Sequence, residues 1–341
     1  MKIILSFSLA VLILIPERVF GQDAVFSQFY NSTLYLNPAL AGIEDDILFS
    51  ANYRSQWNIY KTSQFSFIVP YHKSKHAKPY GHIGGLGLSV YNDVSGEYKS
   101  FQTTGFNSNF AYNLPFDHDH LNVLSFGLQV GAIQKRVDIT ELNWGSQYDP
   151  YNGFDSNVAL SEVYDFQTRT FIDIGAGLFW FYNSPPEKNA LIVSMNSGFS
   201  VAHLNNPNES MLDYDKNRLP LLFKYHGGIV FRVAKQITVS VNSLLAYQNE
   251  IFQNNIGSYF SYRFFSAEET MFAESVFRIG SWYRLNDSVI ALTEFETKKF
   301  KLGFSYDWNA SSLRYQNRGF GAYEIHLQLK LTQHAPPKSR Y

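Results

Sequence analysis

The segment FKLGFSYDWN, residues 300–309, sets Phe300, Leu302, Phe304, Tyr306 and Trp308 on one face and Lys301, Gly303, Ser305, Asp307 and Asn309 on the other. The same two-residue period returns in AYEIHLQLKL (322–331), LSFGLQVG (124–131) and IDIGAGLFW (172–180). Successive side chains of an extended chain point to opposite sides, so strict alternation specifies strands with one apolar and one polar face. A water-soluble sandwich and a membrane barrel both use such strands, and length separates them. Many of these segments run ten residues or more, the length a tilted strand needs to cross a bilayer, whereas soluble strands average about five or six.

Composition points the same way. Charged residues make up only 17% of the chain and aromatics another 17%, with 30 Phe and 23 Tyr. Aromatics recur at strand ends, as at Trp57, Tyr91, Tyr112, Trp180, Tyr247, Trp282, Tyr283 and Trp308, which fits interfacial girdles. The second face carries Gly, Ser, Asn and Gln, which suits a polar lumen. A cation facing lipid at mid-depth costs about 2–4 kcal/mol, so Lys301 and Lys330 are expected inward or near a rim. Beyond the first residues no apolar stretch is long enough for a spanning helix.

The reading is an all-β transmembrane antiparallel barrel of about fourteen strands, with a plug or latch at its N-terminal side. Residues 1–21 have the form of a secretory signal: Lys2, an apolar run from Ile3 to Ile15, and small Gly21 before the exit. Residues 22–46 form the plug or latch, 47–332 the barrel, and 333–341 a periplasmic tail. An even strand count returns both ends to the periplasm, so odd-numbered connections face outward. The longest candidates, 139–170, 204–220 and 310–321, are all odd. The connection around HKSKHAKPYG is even and of some length, a departure from that pattern. Strand four, from Glu97 to Leu114, is long enough to hold a bulge or to extend beyond the membrane.

VFSQFYNSTLYLNPALAG, residues 25–42, has no charge and many aromatics and small polar groups. A fourteen-stranded barrel is too wide for its own side chains to fill easily. The segment therefore suits the lumen, with Pro38 and Gly42 setting the turn into the first strand. The other reading is a short periplasmic extension that merely leads into the barrel. Alternation combined with closure also places Arg54, Asp307 and Glu324 inward on the first, thirteenth and fourteenth strands, near one height. A guanidinium can hold two carboxylates by forked hydrogen bonds, so the trio is expected to lock the seam, with a grip on a partner peptide as the lesser alternative.

Seven passages in order resemble the PorP/SprF family of Bacteroidota outer-membrane proteins. They are FSQFYNSTLYLNPALAG, YRSQW (53–57), LSFGLQVG, FSVAHLNNP (199–207), GSWYR (280–284), LGFSYDWNAS (302–311) and GAYEIHL (321–327). The resemblance implies a non-enzymatic barrel of the outer membrane, tied to type IX secretion and gliding motility. It also implies protein partners: a periplasmic secretion-ring lipoprotein in one branch, a large secreted adhesin in the other. The tripeptide Asn37-Pro38-Ala39 is also similar to the N-terminal hatch of FadL-like transporters, which are fourteen-stranded barrels with an internal plug. That leaves transport of a small hydrophobic ligand as the alternative function.

No local pattern supports chemistry. With Cys 0 there is no thiolate metal site, catalytic thiol or lipid-bearing cysteine. A net charge of -1 gives no basic surplus for nucleic acid. DHDH, 117–120, reads as a solvated turn rather than a metal site, and the glycines of GGLGLSV (84–90) as lumenal strand glycines rather than a nucleotide fingerprint. G-x-S-x-G and H-E-x-x-H are absent. No catalytic residue, metal or cofactor is expected, and the partners are other proteins and outer-membrane lipid.

Overall fold

A computed structural model describes residues 23–44, 46–72, 82–96, 99–117, 121–138, 144–149, 151–155, 157–158, 168–185, 190–211, 217–264, 275–311 and 321–331. The expected signal segment, the tail from 333, most of DHDH and the core of the HKSKHAKPYG connection lie outside the described residues. Fourteen antiparallel strands close into one barrel. They are β1 (Ile47–Gln56), β2 (Tyr60–His72), β3 (His82–Ser95), β4 (Phe101–Pro115), β5 (Asn122–Val137), β6 (Arg169–Asn183) and β7 (Ile192–Ala202). The second half comprises β8 (Leu222–Ala234), β9 (Ile237–Gln248), β10 (Ile251–Arg263), β11 (Val276–Arg284), β12 (Ser288–Glu296), β13 (Phe300–Asn309) and β14 (Ala322–Leu331). Strand four starts at Phe101 rather than Glu97, because Gly96 and Lys99 take positive φ in the turn ahead of it.

Closure is carried by β1 against β14, in unbroken register from Ile47↔Leu331 to Gln56↔Ala322. The rim that bears connections 138–168, 203–221 and 310–321 is the outer one, as outer-membrane barrels carry their longer loops outside. The even connection 264–275 is as long as the last of these, so loop length alone orients the barrel less cleanly than expected. At the outer rim β3 to β6 stand taller than their neighbours. β5 pairs with β6 up to Lys135↔Arg169, while β6 meets β7 only from Ala176↔Val201 onward. The bare edge of β6 is covered by the chain leaving β7. Leu204 N donates to the Ile174 carbonyl at 2.8 Å, and the Asn205 side chain donates to Ile172 and accepts from Ile174 N. Such covering prevents pairing with a foreign strand.

The outer face is the apolar one, with Leu86, Phe106, Leu128, Ile172, Phe304 and Ile325 among its exposed side chains. Two expectations about aromatics and the lumen need correction. Trp282 is not part of a girdle; it points inward at 2% exposure and packs edge-on against Phe29, while Tyr91 also turns inward, against Tyr35. Nor is the lumen polar throughout: inward Phe179, Phe181, Ile290 and Leu292 join one cluster with Phe29, Leu36, Leu40 and Ile43. These wall residues are apolar because a protein segment, not water, lies against them.

That segment is residues 23–44 and 46, none of which is exposed. It runs from the outer end, where Asp23 meets Gln248, to the periplasmic end, where Gly42 meets Asn113. It contains one short helical turn, α1 (Thr33–Leu36), and a 3-10 turn, Pro38–Gly42. Glycines on the inner face of the wall allow its backbone to touch the sheet. A Cβ at Gly127 would overlap the Pro38–Ala39 peptide, and one at Gly177 the Asn37 side chain. Gly127→Val is therefore expected to dislodge the segment while the barrel persists. Limited proteolysis in detergent should cut the 23–44 region faster in the variant, with heat-modifiable gel mobility retained.

Candidate functional site: the lumen and its N-terminal segment

The turn at Asn37 is built from its own sequence. Asn37 caps the 3-10 helix, its side-chain oxygen accepting from Ala39 N at 2.9 Å, and Pro38 fills the first helical position, where an N–H is not needed. The Asn37 amide nitrogen then donates to the Leu178 carbonyl at 2.9 Å and lies 3.2 Å from His226 Nε2. Ser125 donates to the Ala39 carbonyl at 2.8 Å, Ser200 to the Leu36 carbonyl at 2.7 Å, and the Asn113 amide to the Gly42 carbonyl. Strands β4, β5, β7 and β8 thus satisfy backbone carbonyls that the segment's own turns leave open, Lys224 of β8 donating to the Tyr35 carbonyl at 2.7 Å.

Near the outer rim the register puts Arg54 directly opposite Glu324, and Ser305 opposite Glu324 on the other side. Asp307 stands one inward step above Ser305. Arg54 reaches Asp307 at 3.0 Å and Glu324 at 3.7 Å, with all three side chains buried. The trio named from the sequence is brought together. It also holds the segment: Ser27 N donates to Glu324 at 2.7 Å, Gln28 N to the same carboxylate at 3.2 Å, and Ser27 Oγ to Asp307 at 2.6 Å. A second buried guanidinium, Arg284, donates to Ser27 Oγ at 3.0 Å and pairs with Asp287 at 2.9 Å and Asp307 at 3.4 Å.

Two further charged groups were not read from the sequence. At the periplasmic end Arg278 pairs with Glu294 and Glu296, and Glu296 pairs with Lys330. Asn31 on the segment donates to Glu294 at 3.3 Å and accepts from Lys301 at 3.1 Å. Lys301 and Lys330 therefore face inward, away from lipid. At the outer end His203, one residue beyond β7, lies 2.8 Å from both Asp23 and Asp173. His203 has a left-handed backbone (φ 62), which turns its ring into the lumen. Burial disfavours the charged imidazole, but the Asp23 and Asp173 carboxylates prevail and push it up to about 10. Burial likewise opposes charge on Asp23, yet His203 holds it well below the usual carboxylate range.

A family model for the type IX secretion system membrane protein PorP/SprF matches residues 19–329, from ahead of the lumenal segment into β14. The chain belongs to the PorP/SprF family. It is a multi-pass β-barrel of the outer membrane within a family of secretion-system membrane proteins. No curated protein matches it. Among solved structures it is similar to the CymD monoaromatic hydrocarbon channel, at TM-score 0.42 and 12% identity over 92% of this chain and 96% of that one. A Pseudomonas aeruginosa FadL homologue aligns at TM-score 0.39 and 10% identity, over 88% and 93%. BamA from Haemophilus ducreyi lacking POTRA domains 1-3 aligns at TM-score 0.42 and 9% identity, over 84% and 70%. Likeness at this level says nothing of ligand or partner.

Among the described residues no group of three or more acidic, His or Cys side chains is arranged to hold a metal ion. The Asp117 carboxylate accepts from Leu121 N at 2.8 Å, as in an ordinary polar turn.

Two outcomes test the lumenal bonds. Arg54→Ala leaves Asp307 and Glu324 buried without their shared cation, and such a loss costs about 3–5 kcal/mol. The melting temperature in detergent should fall, and Arg54→Lys should restore little of it, because an ammonium lacks the forked geometry. The Asp23–His203 tie has its own pH profile. The His203 contribution is complete below its unfolded value of 6.5 and declines as pH rises toward about 10. The Asp23 contribution is complete above 3.8 and declines only in stronger acid. Proteolytic access to residues 23–30 should therefore increase between pH 6.5 and 10, and Asp23→Asn should flatten that rise.

Proposed function

We propose that this barrel serves type IX secretion as a non-enzymatic docking component, binding another protein rather than passing one through. The observation that supports this reading is the occupied lumen. A buried segment tied to strands around the wall runs down the lumen and leaves cavities beside it, one of about 640 Å³ at the outer rim, so the segment stands in the path of any second polypeptide chain. Partners then engage the rims and loops. The outer connection between β5 and β6 offers a surface of the right chemistry. A two-rung ladder, Tyr148–Asp149 with Gly153–Phe154, holds Tyr148, Tyr151 and Phe154 out to solvent, and Tyr151 is 95% exposed. Aromatic side chains of this kind are enriched at protein interfaces.

The partner is a periplasmic ring lipoprotein of the secretion machine or a large secreted adhesin. Uptake of a small hydrophobic ligand is the second reading, favoured by an apolar pocket of about 60 Å³ between the segment and β8 to β10. A mild-detergent pull-down from native membranes separates them. An adhesin co-purifying with the barrel and lost on Tyr151→Ala combined with Phe154→Ala, or ring lipoproteins co-purifying whether or not that pair is changed because they dock at the periplasmic rim, is the expected result. A bound fatty acid with no protein partner would favour uptake instead.

A further inference from the structure

The segment does not fill the lumen evenly. Its 3-10 turn lies against β2 to β6, and its hydrogen bonds go to β1, β4 to β8 and β11 to β14. Toward β9 and β10 it offers ring and alkyl surfaces. Tyr30 stands edge-on to Tyr259 at 5.4 Å, and Phe29 and Leu36 share a cluster with Leu244. The hydrogen bond that anchors it there, Asp23 N to Gln248 Oε1, is long at 3.4 Å.

Three cavities descend the lumen: the uppermost spans its mouth from β1 to β5 and reaches β10 and β11, and it meets the next one on this loosely held side. The upper one, about 640 Å³, opens toward the outer rim and is lined by Gln56, Asp93, Gln253 and Asp287 among others. The middle one, about 60 Å³, shares Asp23, Val25, Tyr35, Ile251 and Gln253 with it. The lower one, about 150 Å³, lies toward the periplasmic rim, with Thr238, Ser240 and Asn242 on its wall. Phe29 and Leu36 border both the middle and the lower cavity, and Leu244 meets them from β9. Polar walls above and below are thus separated by a short apolar stretch.

We infer that the β9–β10 side of the lumen is a passage for small water-borne solutes, held shut at an apolar waist of Phe29, Leu36 and Leu244. The middle cavity carries Asp23, Lys224, Gln248 and Gln253 on its wall, but the constriction where Phe29, Leu36 and Leu244 meet is apolar, and an apolar constriction that stays dry bars ions without a mechanical block. The waist opens either by a small movement of the segment or by one polar side chain that lets water in. This role is independent of partner docking, since it uses the inside of the barrel and not its rims.

The test is ion conductance of the purified, folded full-length barrel in planar bilayers of neutral lipid with potassium chloride on both sides. The wild type should be nearly silent. Leu244→Ser should raise conductance by roughly several-fold, and Phe29→Ser, on the segment rather than the wall, should do the same. Val241→Ala, on the lipid-facing side of β9, should stay at the wild-type level. Heat-modifiable mobility verifies folding of each variant. If a folded Leu244→Ser or Phe29→Ser barrel conducts no better than the wild type, or Val241→Ala conducts as well as either, the waist is not a gate.

Discussion

A closed sheet of fourteen strands encloses more room than its own inward side chains can occupy, and the rest of this molecule answers that constraint. Water could fill the space, but then the inner wall would have to be polar along its whole height. Instead a stretch of the same chain is laid inside, and the wall is written to match it. Where the segment presents backbone carbonyls, the wall presents Ser125, Ser200 and Asn113. Where it presents Phe29, Leu36 and Leu40, the wall presents Phe179, Trp282 and Leu292. Gly127 and Gly177 take the places where its main chain comes too near for any side chain.

Charge is confined to the two ends of this packing. The Arg54–Asp307–Glu324 group and the His203 pair stand toward the outer rim, and the Arg278–Glu294–Glu296–Lys330 group toward the periplasmic one. Buried ions cost several kcal/mol each unless neighbours satisfy them, so each group combines both signs and adds hydrogen bonds from the segment. Such groups are weak sources of stability compared with well-packed apolar side chains. Their value lies in register: Ser27 and Asn31 meet their partners only if the segment sits at one height and one rotation in the lumen.

How much of this was legible follows from the reach of each signal. Alternation is local, so the strands, their facing and the closed barrel could be read from short windows such as 300–309. The Arg54 group was within reach because closure puts the first and last strands side by side, which makes Arg54 and Glu324 neighbours once the count is even. Trp282 was misplaced because an aromatic at a strand end is the same letter whether it faces lipid headgroups or a Phe on a lumenal segment. The His203–Asp23 tie and the Arg278 group were also missed. The His203–Asp23 tie joins a loop to the segment, which no local window brings together, whereas Arg278 and Glu294 face each other across neighbouring β11 and β12 and only the link through Glu296 to Lys330 on β14 needs the register of the wall. The inner glycines did carry a signal, since β3, β5 and β6 each keep an unsubstituted position on the inward face against the segment, at Gly85, Gly127 and Gly177.

The seam between β1 and β14 can be completed only when the two ends of the barrel sequence meet, and its inward residues also bind the lumenal segment. Asn52 donates to Ser32, Glu324 accepts from Ser27 and Gln28, and Arg54 bonds Ser27. An empty lumen would leave these groups facing one another with Glu324 and Asp307 only partly satisfied. Docking of the segment therefore favours closure of the wall, and closure in turn fixes the outer half of the segment. The 3-10 turn belongs to the arc from β2 to β6, which holds it by backbone contact and not by charge. A segment clamped on one arc by shape and on the seam by ions is left with one arc, β9 and β10, where neither device acts. That imbalance follows from the distribution of glycines and charges along the chain, and it leaves the middle cavity on the β8 to β10 side, while the outer cavity spreads across the mouth of the lumen to β1–β5.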